Sequence, residues 1–264
     1  MIQQTLPPKT RLKLGRFDAG GELAKLAVAQ RRLMPTAAPL VPGYRLAFAY
    51  RPAYFATGDY CDFFPRRNGL LATFIGDGSG HGPAASILMA AMRTILHTHP
   101  AIHADPGRTL TQAGRMFHDV VTPDLFMTGV YLLFEGGDTV SWASAGQDPP
   151  LRVNLQGEIA PPDLTPVRPP LGVLPDEVYP TVRWHLEPGE RLLLFTDGLV
   201  EARNPADEAF GRPRLRRFLT DLCYRPLEKM VAEIVNQAKM HTEGADFEDD
   251  FTIVAIERLD GCSG

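Results

Sequence analysis

Cysteine is scarce in this chain. Cys61, Cys223 and Cys262 are odd in number, far apart and form no C-x-x-C pair. That argues against a disulfide framework and a zinc knuckle, and favours a reducing, cytoplasmic compartment. Long apolar runs are missing: none approaches the ~20 residues of a membrane span. The N-terminal "MIQQTLPPKTRLKLG" carries charge but no apolar h-region, so it does not read as a secretory signal. Basic residues are not in excess. Lys and Arg number 27 against 31 Asp and Glu, a net charge of −4, which argues against nucleic acid as the main partner. Nucleotide fingerprints are absent too. No G-x-x-x-x-G-K-[ST] occurs, and "GDGSGHGPAAS" places His81 or Pro83 where a dinucleotide loop needs its third glycine. Ser79 is not the centre of a G-x-S-x-G elbow.

What remains is a chain of 264 residues, enough for one large domain or two small ones. Residues 1–20 read as a loose arm. Glu22 to Met34 reads as a helix with Leu23, Leu26, Ala27, Leu33 and Met34 on one face, closed by Pro35. From Tyr44 the texture turns to strands. "YRLAFAY" alternates, "GLLATFIGD" is a buried run, and "FMTGVYLLFEGGDTVSWASAG" reads as a hairpin turning at Gly136, Gly137 and Asp138. "LRVNLQGEI" holds a further turn. Two strands flank Pro188 and Gly189, and "DDFTIVAIERL" closes the series. Helical patterns interrupt twice, at "PAASILMAAMRTILHTH" with "RTLTQAGRMFHDVV", and at "RPLEKMVAEIVNQAK". Many strands with short turns and two separate helical insertions predict an α+β fold, antiparallel sheets covered by helices. The proline-rich "APPDLTPVRPPLGVLPDEVYP" reads as a long loop that borders a site.

Aspartates recur at strand ends, the first three beside glycine: Asp59 in "ATGDYCDFF", Asp77 in "FIGDGSGHG", Asp197 in "LLLFTDGLVEARN", and Asp249–Asp250 in "FEDDFTIV". One Asp-Gly is an ordinary turn signal. Four places with the same texture put several carboxylates at the ends of neighbouring strands. Such acids repel one another unless a cation neutralises them, and an all-oxygen donor set suits a hard metal such as Mg²⁺ or Mn²⁺.

With these residues in view, the chain resembles the PPM (PP2C-like) metal-dependent serine/threonine phosphatases, in particular the bacterial RsbU/SpoIIE group. Eight segments fall in the family's order: "AQRRLMP", "YRPAYFATGDYCDFF", "GDGSGHGPAAS", "MTGVYLLFE", "ASAGQDPPL", "PPLGVLPD", "LLLFTDGLVEAR" and "DDFTIVAI". They span roughly residues 22 to 258. The resemblance implies an α-β-β-α sandwich, two antiparallel sheets flanked by helices, with two Mn²⁺ or Mg²⁺ ions at one edge. It implies residues 1–38 as an N-terminal arm and regulatory or linker helix, and 39–260 as the phosphatase domain. It assigns Asp59, Asp77, Asp197 and Asp249 to the metals, adds the Gly78 carbonyl, and leaves Asp250 as an alternative to its neighbour. Catalysis would run through a metal-activated water, without a phospho-enzyme. The implied substrate is a phosphorylated STAS-domain anti-sigma-factor antagonist. The alternative is a non-catalytic or partner-activated phosphoprotein binder of the same fold.

The chain departs from the family pattern in places. Thr57 precedes Gly58 and Asp59 where a second glycine is usual, Cys61 replaces an aromatic residue, and Gln147 stands where the family has histidine. His81 has two readings, proton donor to the leaving oxygen or a structural member of the glycine turn. His97, His99 and His103 at a helix end suggest zinc, but their spacing offers no partnering acid. Arg168 and Arg203 are candidates for gripping phosphate. The 22–34 helix is core packing, a contact for a regulatory protein, or a self-dimer surface.

Overall fold

The computed structural model describes residues 19–66, 71–98, 105–122, 124–160 and 167–260. The expected arm at 1–18, His99, His103, Cys262 and part of the proline-rich segment lie outside them. In chain order the first half runs α1 (Ala19–Arg31), β1 (Tyr44–Arg51), β2 (Tyr60–Pro65), β3 (Leu71–Gly78), α2 (Pro83–Thr98), α3 (Pro106–Val120) and β4 (Met127–Gly136). The second half adds β5 (Thr139–Ala145), β6 (Leu151–Val153), β7 (Val182–His185), β8 (Arg191–Phe195), α4 (Gly198–Glu201), α5 (Gly211–Leu222), α6 (Leu227–His241) and β9 (Phe251–Arg258).

Among the described residues these strands form two antiparallel sheets, one in the order β1-β9-β8-β6 and the other β2-β3-β4-β5-β7. Both faces of the first sheet are covered, so its strands read as continuous apolar runs. Leu192 and Leu194 of β8, with Val254 and Ile256 of β9, face the core between the sheets. Leu193, Phe195, Ile253 and Ala255 face the opposite way, onto α5 and α6. The outer face of the second sheet is covered by α2 and α3, which bury Leu88, Met89, Met92, Leu110 and Phe117. This is the α-β-β-α sandwich that the resemblance implied.

The expected hairpin at 127–145 forms as β4 and β5. The strands around Pro188 and Gly189 also form, yet they do not pair with each other. β7 adds to β5 in one sheet and β8 pairs with β6 and β9 in the other. That turn therefore carries the chain across the sandwich.

Three expectations need correction. The first helix runs Ala19–Arg31, not 22–34: tight bonds from Arg32 N to Ala29 O and from Leu33 N to Gln30 O end it before Pro35. Its one fully buried side chain among those described is polar, Gln30, while Val28 is exposed. α5 forms where the sequence pattern predicts no helix, because four arginines and Pro213 obscure the stripe of Leu215, Phe218, Leu219 and Leu222. And a partnering acid does lie near His97, from another element. His97 Nε2 is 2.8 Å from Asp62 Oδ2 on β2, the same oxygen that accepts from the Tyr60 hydroxyl. That explains His97 as a tie between α2 and the sheet.

Candidate active site

Each predicted acid sits where a strand begins or ends. Asp59 lies just before β2, Asp77 near the end of β3, Asp197 just after β8 and Asp249 just before β9. β2 pairs with β3 and β8 pairs with β9, both antiparallel, so each pair presents its acids at the same end. The two sheets then bring the pairs together.

Close backbone approach accomplishes this, and glycine permits it. A side chain at Gly58 would meet the Gly78 carbonyl at 2.6 Å and Asp77 Oδ1 at 3.2 Å, and Gly78 N donates to Gly58 O at 3.2 Å. The loop before Asp59 thus lies directly on the Asp77–Gly78 segment. At Gly198 a side chain would meet the Asp250 carbonyl at 2.0 Å. Here the glycine of Thr196-Asp197-Gly198 is required by contact, not by a left-handed backbone.

Asp59 is fully buried and spans the two sheets. Its Oδ2 accepts hydrogen bonds from the hydroxyls of Thr196 at 2.9 Å and Thr252 at 2.6 Å, both from the opposite sheet. Its Oδ1 is buried with no hydrogen-bond partner. Burial, and then the neighbouring Asp77 charge, push the Asp59 carboxyl well above the usual range. Asp77 is pushed up to about 8, first by burial and then by the charges of Asp197, Asp249, Asp250 and Glu201. Asp249 is also raised, by burial and by the same group of acids.

The adjacent acids Asp249 and Asp250 differ in use. Asp250 is buried, and both its oxygens accept backbone N–H groups, Ala53 at 2.7 Å and Gly58 at 3.1 Å. It clamps the β1–β2 connection. Asp249 is more open, and its Oδ1 accepts from Asp250 N at 2.8 Å.

Two supporting side chains have roles that no local motif announces. Gln30 reaches from α1 to the backbone of Thr57, donating to its carbonyl at 2.6 Å and accepting from its N–H at 3.0 Å. A helix outside the sandwich thereby grips the residue two before Asp59. Gln147 bridges the sheets, accepting from the Thr128 hydroxyl and donating to the Phe195 carbonyl at 2.6 Å. An amide meets both partners at once, one accepting and one donating, which accounts for glutamine serving here as a clamp.

Other candidates are placed elsewhere. Arg203 is consumed in its own turn, bonded to the Asp207 carbonyl at 2.7 Å, and Arg168 pairs with Glu177 at 3.2 Å. His81 is exposed, its ring 5.4 Å from that of Tyr54, with no hydrogen bond to any described residue. It does not hold the glycine turn; Gly80 and Gly82, at φ of 82° and 72°, form it. Cys61 is buried and free, its thiol pushed up by burial.

The donor chemistry suits a hard divalent cation. The charges that act most on Asp77 are those of Asp197, Asp249, Asp250 and Glu201, all negative, and Asp59 has an orphaned buried oxygen. Among the described residues no three His, Cys, Asp or Glu side chains lie close enough together to hold a metal ion by themselves.

A two-sheet sandwich flanked by helices is the PP2C-like fold. The chain belongs to the SpoIIE family: the model of Stage II sporulation protein E (SpoIIE) matches residues 67–259. It is 27% identical over 267 residues to Protein IcfG of Synechocystis sp., covering 90% of this chain and 41% of that protein. The chain therefore spans less than half of IcfG. It is 25% identical over 238 residues to the phosphoserine phosphatase RsbU of Bacillus subtilis, covering 90% of this chain and 70% of RsbU. Among solved structures, the SiaA-PP2C domain of Pseudomonas aeruginosa matches with a TM-score of 0.78 and 21% identity, covering 91% of this chain and 97% of that one.

Proposed function

We propose that this chain hydrolyses phosphoserine or phosphothreonine on a protein, with a phosphorylated STAS-domain antagonist as the substrate that the RsbU likeness favours. The observation that carries the reading is the convergence of Asp59, Asp77, Asp197 and Asp249 at one end of the sandwich, with Asp77 pushed up to about 8 by burial and its neighbours. Asp59, Asp77, Asp197, Asp249 and the Gly78 carbonyl would hold two Mn²⁺ or Mg²⁺ ions. When bound, the ions make hydroxide available at neutral pH and offset charge on the phosphoryl oxygens.

The protein's own part is arrangement. Thr196 and Thr252 fix Oδ2 of Asp59 and leave Oδ1 for ligation. Asp250 holds the backbone of Gly58 and so sets the height of Asp59, a supporting role. No side-chain nucleophile is required. His81, exposed on the same turn as Asp77, is free to protonate the leaving serine oxygen. A second reading, activation by a partner, is favoured by Gln30. A regulatory protein or second copy that shifted α1 would move Thr57, and with it Asp59.

Among the described residues no helix is long and apolar enough to cross a membrane, which fits a cytoplasmic location for such an enzyme. The test is hydrolysis of an aryl phosphate with Mn²⁺ and with chelator, for wild type and Asp77→Asn. Metal-dependent turnover lost in the variant is the expected result. No wild-type turnover despite bound metal would favour the partner-activated reading.

A further inference from the structure

At the open edge of the sandwich, where the edge strands β6 and β7 part, lies a cavity of about 240 Å³. Its walls are apolar: Pro149, Pro150, Leu151, Trp184 and Phe195. Its charged lining is three arginines and one acid, Asp148. Arg212 and Arg216, four residues apart on α5, both face it, and Arg152 joins them from β6.

The charges do not cancel. Arg152 is satisfied by Glu190, with bonds of 3.1 and 2.6 Å, and Arg212 by Asp148 at 2.7 Å. Arg216 is half-buried and has no ion pair or hydrogen bond to any described residue. The cavity therefore presents an apolar chamber with one uncompensated cation. A cavity of ~150 Å³ accommodates benzene, so this one has room for a ring and a short tail. Two proline walls supply no N–H to compete for an acceptor.

We propose that this cavity is a binding site for a small apolar anion, an aromatic or branched aliphatic group bearing one carboxylate. The apolar part fills the space between Trp184 and Phe195, and the carboxylate pairs with Arg216. Arg212 joins them at the rim, where it also feels the charges of Glu201 and Asp197. The site thus adjoins the acid cluster through Arg212, and through Phe195, whose carbonyl is held by Gln147. The same chemistry comes from two sources, a free metabolite-sized acid or an apolar–acidic segment of a bound polypeptide.

The chain contains two tryptophans, one buried at Trp142 and one in the cavity at Trp184. Protein labelled with ¹⁵N at tryptophan gives one indole signal for each. Titration with 3-phenylpropionate should displace the Trp184 signal saturably and the Trp142 signal less. The neutral 3-phenylpropionamide should bind at least tenfold more weakly, as should 3-phenylpropionate to Arg216→Gln and Arg216→Glu. An undisturbed Trp142 signal certifies the fold of each variant. A capped Gly-Phe-Asp-Gly peptide forms the second arm. Displacement by the peptide as well assigns the site to polypeptide segments, and displacement by the free acid alone assigns it to small molecules. The inference is overturned if neither probe moves Trp184, if amide and acid act equally, or if loss of Arg216 changes nothing. The readout is binding, so its failure is distinct from any failure of catalysis.

Discussion

Asp59 and Asp77 show how a single carboxylate can be both costly and useful. Asp77 is raised to about 8 by burial and by like charges, so its ionised form destabilises the metal-free fold. Stability from this group is fully present below its unfolded value of about 4 and is lost as pH rises through about 8. In chelator, Asp77→Asn should therefore melt above wild type at pH 8 and equal it near pH 4. A thermal melt across that range checks the sign. Excess Mn²⁺ should reverse the order at pH 8, because only wild type gains from binding. For Asp59 the orienting hydroxyls are the sensitive points. Thr252→Val removes the 2.6 Å bond to Oδ2. The expected loss is about 10–100-fold in metal affinity or turnover, the usual cost of removing such a supporting group, measured by Mn²⁺ titration of aryl phosphate hydrolysis.

Among the elements, α1 and β8 carry the most consequence. α1 is anchored through one buried glutamine whose two bonds grip the backbone of Thr57. Gln30→Ala should cost about 1–3 kcal/mol from the groups left unsatisfied, lower turnover sharply and leave the far-ultraviolet dichroism of the folded sandwich intact. Normal turnover in that variant would separate α1 from the site. β8 joins the sheet to its helices through Arg191, which is almost fully buried. It meets Glu257 of β9 at 2.8 Å and reaches the Leu222 carbonyl of α5. Truncating Glu257 to Ala strands that cation, and the loss expected is about 3–5 kcal/mol, read as a lowered midpoint of denaturant unfolding.

The whole molecule behaves as a frame that holds repelling acids together. The frame is strong because both sides of the β1-β9-β8-β6 sheet are buried, by the second sheet and by α5 and α6. A cation that bound the gathered acids would stabilise the entire fold by mass action. At a concentration ~100 times its dissociation constant the gain is about 2.7 kcal/mol. For a chain of this size that is a rise of roughly 5–10 °C in the unfolding midpoint, which Asp77→Asn should largely abolish.

Sequence periodicity determined an α+β class of antiparallel sheets covered by helices, and the family resemblance added the sandwich and the four candidate acids. Strand periodicity is local, and the apolar runs that end in Asp77-Gly78 and Asp197-Gly198 mark strand tips wherever those strands lie. The glycines were legible as well, although their reason was not. Gly58 and Gly198 are needed because another segment of backbone passes within contact, and nothing local announces that neighbour. Tertiary structure alone decided that β7 and β8 belong to different sheets and that His97 meets Asp62. It also decided that Asp250 clamps backbone while Asp249 stays open, and that Gln30 holds Thr57. Each of these is a hydrogen bond or contact between residues far apart in the chain. Such pairings are set by which faces the core leaves in register, and no window of neighbouring residues carries that information.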